Sequence, residues 1–159
     1  MKKLVFLLLL LSTIIIMGGC ARKSSLKNIN GEELFNLEDK SYFVYIYEDD
    51  CEECEQTLPI IESYLYVIKE EKDYKNKSTV YGLNISKEQN SIIARKYEGD
   101  NGQGANGKSF INDVTNWEEL YIGTTPTLIS IRVREGQKYA EFEAEGYNDI
   151  MTRLQNHLE

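Results

Sequence analysis

An α/β fold around a mixed β-sheet follows from three features of the sequence. Strand-like runs and helical patterns alternate in the order strand, helix, strand, helix, strand, hairpin strand, helix. One run, Tyr42-Phe43-Val44-Tyr45-Ile46-Tyr47, is apolar or aromatic at every position, as suits a central strand buried on both faces. Another, Lys138 to Glu145, alternates Ala140, Phe142 and Ala144 with charges, which predicts an antiparallel edge with one wet face. At 159 residues and 18.4 kDa the chain holds one such domain and not comfortably two.

The elements read in order as follows. Lys2 and Lys3 precede an apolar run from Leu4 to Met17, closed by Gly18-Gly19-Cys20. This is the anatomy of a secretion signal, and the run would rise only about 21 Å as a helix against a hydrocarbon core of roughly 30 Å. Ala21 to Asn30 is polar and basic without a period, and reads as a tether. A globular domain is expected over residues 31–159, with a short helix at Glu32 to Leu37. After the Tyr42 strand, Asp49 and Asp50 offer N-caps to a helix starting near Cys51, whose apolar stripe is Leu58, Ile61, Leu65 and Ile68. Thr79 to Ile85 is expected as a second strand and Lys87 to Tyr97 as a second helix. Glu98 to Ile122 reads as an insertion. Thr127 to Val133 forms the third strand, Glu135-Gly136 turns it into the edge strand, and Asn148 caps a last helix bearing Ile150, Leu154 and Leu158.

The chain has 18 basic and 26 acidic residues, a formal −8, which argues against a nucleic-acid or anionic-lipid surface. Three cysteines cannot all pair within one chain, so one needs a separate role. Cys51 and Cys54 lie where the first strand meets its helix. One helical turn brings both sulfurs within disulfide reach, and a helix N-terminus stabilises a thiolate on the first. Zinc is the rival use of the spacing, but a structural site wants four ligands and the chain adds only a remote His157, which reads as a solvated residue near a helix C-terminus. No metal or cofactor is expected. Gly102 to Gly107 satisfies G-x-G-x-x-G, but no strand precedes it and a flexible loop is the better reading. Phe110, Trp117, Leu120 and Tyr121 are expected to pack over the sheet, with a partner-binding groove beside the cysteines as the alternative and core contact the better reading for Trp117.

Two further motifs give these cysteines a context. Pro59 lies five residues after Cys54, and Gly123-Thr124-Thr125-Pro126-Thr127-Leu128 precedes the third strand; these are the only prolines. With C-x-x-C, in this order and on these elements, residues 31–158 resemble the thioredoxin superfamily. The resemblance implies a thioredoxin-like sandwich, Cys51 and Cys54 as the catalytic pair, and a helix bent at Pro59. It also implies a cis bond before Pro126, in a loop where Thr125 and Pro126 shape the contact with an extended substrate. Met17-Gly18-Gly19-Cys20 resembles the bacterial lipobox, which implies cleavage before Cys20, lipid on Cys20 and an extracytoplasmic, membrane-anchored protein. Loss of residues 1–19 removes Lys2 and Lys3 and leaves a formal −10.

The chain departs from the family pattern at four places. The aromatic residue expected before the first cysteine is Asp50, the buried acid six residues before it is Tyr45, and the buried lysine falls at Gly82. Tyrosine, with an ordinary pKa near 10, is a poor substitute as a base. Finally, Glu48, Asp49, Asp50, Glu52, Glu53 and Glu55 surround the dithiol. In a first turn such acids, Glu52 and Glu53 among them, complement the helix dipole; their field also disfavours a thiolate, which predicts a comparatively reducing couple. The sequence therefore predicts a membrane-anchored thiol–disulfide oxidoreductase acting on disulfides of client proteins or peptides, cationic ones favoured, with a membrane electron donor. The alternative is a non-catalytic or weakly redox-active accessory lipoprotein of the same fold, binding for example a cationic secreted peptide.

Overall fold

The computed structural model describes residues 24–93 and 110–159. The signal segment, Cys20, the Gly102–Gly107 run and the second half of the expected Lys87–Tyr97 helix lie outside the described residues.

Five strands form one mixed sheet: β1 (Lys27–Ile29), β2 (Tyr42–Tyr47), β3 (Val80–Asn84), β4 (Thr127–Arg134) and β5 (Gln137–Glu145), in the order β1-β3-β2-β4-β5. β3 runs parallel to β1 and β2, whereas β4 is antiparallel to both β2 and β5. The helices are α1 (Glu52–Glu70) and α2 (Gly146–Leu158). Strand β2 is central, and its side chains alternate between two cores as the pleat requires. Tyr42, Val44 and Ile46 face one core, while Phe43 and Tyr45 face the other.

The two cores are covered differently. Ile61, Tyr64 and Leu65 of α1 and Ile150 and Leu154 of α2 pack on Phe43 and Tyr45, so both helices lie on one face. The opposite face is closed by short 3-10 turns and loops carrying Leu34, Ile93, Ile111, Leu120 and Ile122. The expected helix at residues 32–37 is there a 3-10 turn, Gly31–Glu33, and the described part of the one expected at 87–97 is 3-10 over Glu88–Ile93. Trp117 packs against this core, and its ring lies so close to Gly31 that a Cβ there would sit 2.5 Å from it.

The domain starts earlier than residue 31. Lys27–Ile29, expected as tether, pairs with β3 and buries Ile29, while Glu62 on α1 holds the preceding turn by accepting the Ser25 and Leu26 amides. A basic, aperiodic segment can still pair through its backbone, here with the single apolar anchor Ile29. Two further expectations change in detail. Leu58 of the predicted α1 stripe is exposed, and Tyr64 takes the buried place beside Ile61 and Leu65. In β5 the strict alternation breaks at a bulge opposite Leu128/Ile129, so Ala140 and Phe142 face one core and Ala144 the other. The bulge releases Glu143, which accepts from Arg132 at 3.0 Å and from Arg153 at 2.5 Å.

His157 is not solvated. Its ring packs edge-on against Phe43 at 4.9 Å between centroids, and its buried Nε2 has no hydrogen-bond partner. Burial, helped by Arg153 and Lys77, lowers its pKa below the ordinary value. The C-terminal turn of α2 thus turns an expected surface residue into a packing one.

Candidate active site

The polypeptide leaves β2 at Tyr47 and enters α1 at Glu52, and those four intervening residues define the site. Asp49 is pinned towards β3: its amide donates to Ser86 Oγ at 2.8 Å, and its carboxylate accepts from Asn84 at 2.8 Å and Lys87 at 3.1 Å. These bonds hold its pKa below the usual carboxylate value. Asp50 takes a left-handed backbone, φ 60°, which reverses the chain into the helix. The helix cap is therefore Cys51 rather than Asp49 or Asp50. Its Sγ accepts the Cys54 amide at 3.1 Å, and Glu52, Glu53 and Glu55 fill the first turn.

Cys51 and Cys54 form a disulfide across that turn, with Cα atoms 5.2 Å apart. Cys54 is 4% exposed and Cys51 more so, which makes Cys51 the sulfur a partner reaches. The Thr125–Pro126 bond is cis, and Thr125 Oγ1 lies 3.9 Å from Cys51 Sγ. The same hydroxyl donates a short hydrogen bond to the Glu48 carboxylate. The Pro126 carbonyl accepts the Gly146 amide at 2.9 Å, tying the loop to the start of α2.

The fold brings together Cys51, Cys54, Thr125 and Pro126. Pro59 sits inside α1, where it has no N–H to give the Glu55 carbonyl. Glu52 is exposed and accepts from Gln56 at 3.3 Å, a surface contact within the helix. Glu53 serves the fold: its carboxylate accepts the Tyr147 amide at 2.8 Å and so caps α2, the role expected of Asn148. Gly146 beside it has φ +76°, and a Cβ there would approach Glu53 Oε1 to 3.0 Å.

Tyr45 and Gly82, two separate departures in the sequence, are parts of one local replacement. The Tyr45 hydroxyl donates to the Cys54 carbonyl at 2.8 Å, and its ring stacks on Tyr47 with centroids 5.3 Å apart. Tyr47 donates to Asn28 Oδ1 at 3.0 Å, and that oxygen takes up the space a Gly82 Cβ would need. A neutral stack running from Tyr45 out to Asn28 on β1 thus lines one side of an open cavity beside Cys54, which Glu48, Asp50 and Glu55 also line. Burial pushes the Tyr45 pKa well above its ordinary value, despite a counteracting hydrogen bond from Thr57, so its proton stays on. Sequence reasoning missed Asn28 because β1 was unrecognised, and missed Glu48 because all six acids looked alike.

Among the described residues, no group of three or more His, Cys, Asp or Glu side chains is placed to hold a metal ion. No helix among them is long and apolar enough to cross a membrane.

Neither a protein-family model nor a curated protein sequence matches this chain. Solved structures do match its fold. The structure of Trichomonas vaginalis thioredoxin matches with a TM-score of 0.53 at 14% identity, over 85% of this chain and 96% of that one. The chain has a thioredoxin-like fold. Malassezia sympodialis thioredoxin is a further match, at TM-score 0.46 and 16% identity over 86% of this chain and 94% of that one. Within the thioredoxin-like fold, the C-x-x-C disulfide occupies the strand-to-helix junction and faces the cis-proline loop. Chemically, such a pair can exchange two thiols for one disulfide.

Proposed function

We propose that the protein is an extracytoplasmic, membrane-anchored thiol–disulfide oxidoreductase that reduces disulfides of client proteins or peptides. One observation carries the reading: the more exposed sulfur of a C-x-x-C pair caps a helix beside a cis-proline loop whose Thr125 lies 3.9 Å away. In the reduced protein the Cys51 thiolate attacks a client sulfur, forms a mixed disulfide and releases one client thiolate. Cys54 then loses its proton and attacks Cys51, which frees the second client thiol and restores the Cys51–Cys54 disulfide. Thr125 and Pro126 contact the client backbone. Two electrons from a membrane dithiol donor regenerate the reduced pair. The lipobox-like Met17-Gly18-Gly19-Cys20 supports the anchor, and a net charge of −8 with six acids around the dithiol supports preference for cationic clients.

The test is insulin reduction by the domain lacking residues 1–19, with dithiothreitol as electron source. Wild type accelerates the reaction, Cys51→Ser abolishes it, and Cys54→Ser accumulates mixed disulfides. Wild type that neither reduces insulin nor equilibrates with glutathione overturns the enzymatic reading. For the anchor, palmitate labelling in the intact bacterium is expected for wild type and lost in Cys20→Ala.

A second reading has its own observation. Tyr45 keeps its proton and donates it to the Cys54 carbonyl, so no buried base stands beneath the second thiol. That favours a thioredoxin-like accessory module binding a cationic secreted peptide without turnover. Binding of such a peptide by a Cys51→Ser, Cys54→Ser variant, together with an inactive wild type, selects this alternative.

A further inference from the structure

We propose that Glu48 is a positioning residue that keeps the Thr125 hydroxyl proton away from Cys51 and so raises the basicity of the Cys51 thiolate. The inference rests on the reading of Cys51 as the attacking thiol. A threonine hydroxyl has one proton to donate and lone pairs to accept with. Thr125 Oγ1 lies between two acceptors, the Glu48 carboxylate, to which it is hydrogen-bonded, and Cys51 Sγ at 3.9 Å. A carboxylate is the stronger acceptor, and the proton goes to it. The lone pairs of Oγ1 are then what Cys51 meets, so a hydroxyl that could join the Cys54 amide in stabilising a thiolate does not do so.

Glu48 reaches this position because its neighbours are held. Asp49 is fixed to Asn84, Ser86 and Lys87, and Asp50 reverses the backbone, which leaves Glu48 as the acid of this loop that meets the cis-proline segment. The other charges near Cys51 on its own loop and helix are Asp50, Glu52 and Glu53, the last engaged by the Tyr147 amide. The segment 123–126 contributes none, and the start of α2 carries Tyr147 and Asp149. All of these stay in place when Glu48 or Thr125 is changed, so their contribution cancels in the comparison.

Two effects are folded into Glu48, and two substitutions separate them. Glu48→Gln removes the charge but keeps a carbonyl for the Thr125 proton. Glu48→Ala removes both, freeing the hydroxyl to donate to the thiolate. The experiment follows the 240 nm absorbance of the Cys51 thiolate against pH in the reduced domain, with Cys54→Ser as background so that a single thiol titrates. Glu48→Gln is expected to lower the thiol pKa by about one unit, and Glu48→Ala by about two, since a hydrogen bond to a charged sulfur adds an effect of similar size. In Glu48→Ala, Thr125→Val the drop returns to about one unit, and Thr125→Val alone changes little. Equal shifts in Glu48→Gln and Glu48→Ala, or a raised pKa in Thr125→Val alone, overturn the proposal. The readout is independent of turnover: if insulin is not reduced but the four pKa values order as expected, the oxidoreductase reading fails and this inference stands.

Discussion

The two sides of the disulfide are built from opposite materials. On the outside, six carboxylates crowd residues 48–55. On the inner side, a neutral, hydrogen-bonded stack runs from buried Tyr45 through Tyr47 to exposed Asn28, with Gly82 leaving room for Asn28. Water screens the first set and none of the second carries a charge, so the site avoids the cost of burying an ion pair. The difference teaches that polarity at this dithiol is controlled from its rim, while the underside supplies rigidity.

The largest test of that division is to break the underside. Tyr45→Ala should cost about 3–5 kcal/mol of stability in the oxidised protein, because a fully buried aromatic is lost from the core beneath α1. Tyr45→Phe, which deletes only the bond to the Cys54 carbonyl, should cost about 1–2 kcal/mol. Urea denaturation measures both, and equal costs would mean that the hydroxyl and not the ring holds the helix.

Next comes Gly82→Ala. Its Cβ would collide with Asn28 Oδ1, so β1 has to move, at a cost of about 1–3 kcal/mol. Adding Asn28→Gly should recover part of that loss; no recovery would show that Leu26, at 3.0 Å, is the real obstacle.

A pH profile probes the interior charges that the rim does not share. His157 has a folded pKa below its ordinary 6.5, chiefly through burial, so the unfolded chain binds its proton first. Stability is then complete above pH 6.5 and falls as pH drops from there through the folded value. Glu143 feels burial, which raises its pKa, but its bonds with Arg153, Ser130 and Arg132 together outweigh it and bring the pKa below 4.5. Its contribution is present above pH 4.5 and is lost on further acidification. His157→Phe should remove the first decline and leave the second; thermal melts at successive pH values read both.

The smallest effect belongs to the exposed rim. Glu52→Gln and Glu55→Gln should each lower the Cys51 pKa by only a few tenths of a unit at physiological salt, well short of the Glu48 variants. Shifts as large as that of Glu48→Ala would show that bulk charge, rather than the Thr125 hydrogen bond, sets the thiol.

Strands β2 to β5, both long helices and the pairing of Cys51 with Cys54 were legible because period, proline position and cysteine spacing are local signals. β1 was not, since Lys27-Asn28-Ile29 carries no alternation and joins the sheet through backbone pairing with β3. The cap of α2 was hidden for a related reason: the acceptor, Glu53, lies 94 residues away in sequence. The bulge in β5 left no mark either, because Ala140, Phe142 and Ala144 alternate regardless of which core each enters. Likewise six neighbouring acids look equivalent in sequence until the fold gives Asp49, Glu48 and Glu53 different partners.

The contact between Asn28 and Gly82 also constrains how such a site can change over generations. A lysine at 82 has no room while Asn28 Oδ1 occupies the position of its Cβ, and an acid at 45 would lack a partner until that lysine arrived. Position 28 must shrink first, at the loss of its bond from Tyr47, before either charge is tolerated. Each single step away from the present arrangement thus removes a contact or leaves a charge unpaired, which holds the uncharged arrangement in place.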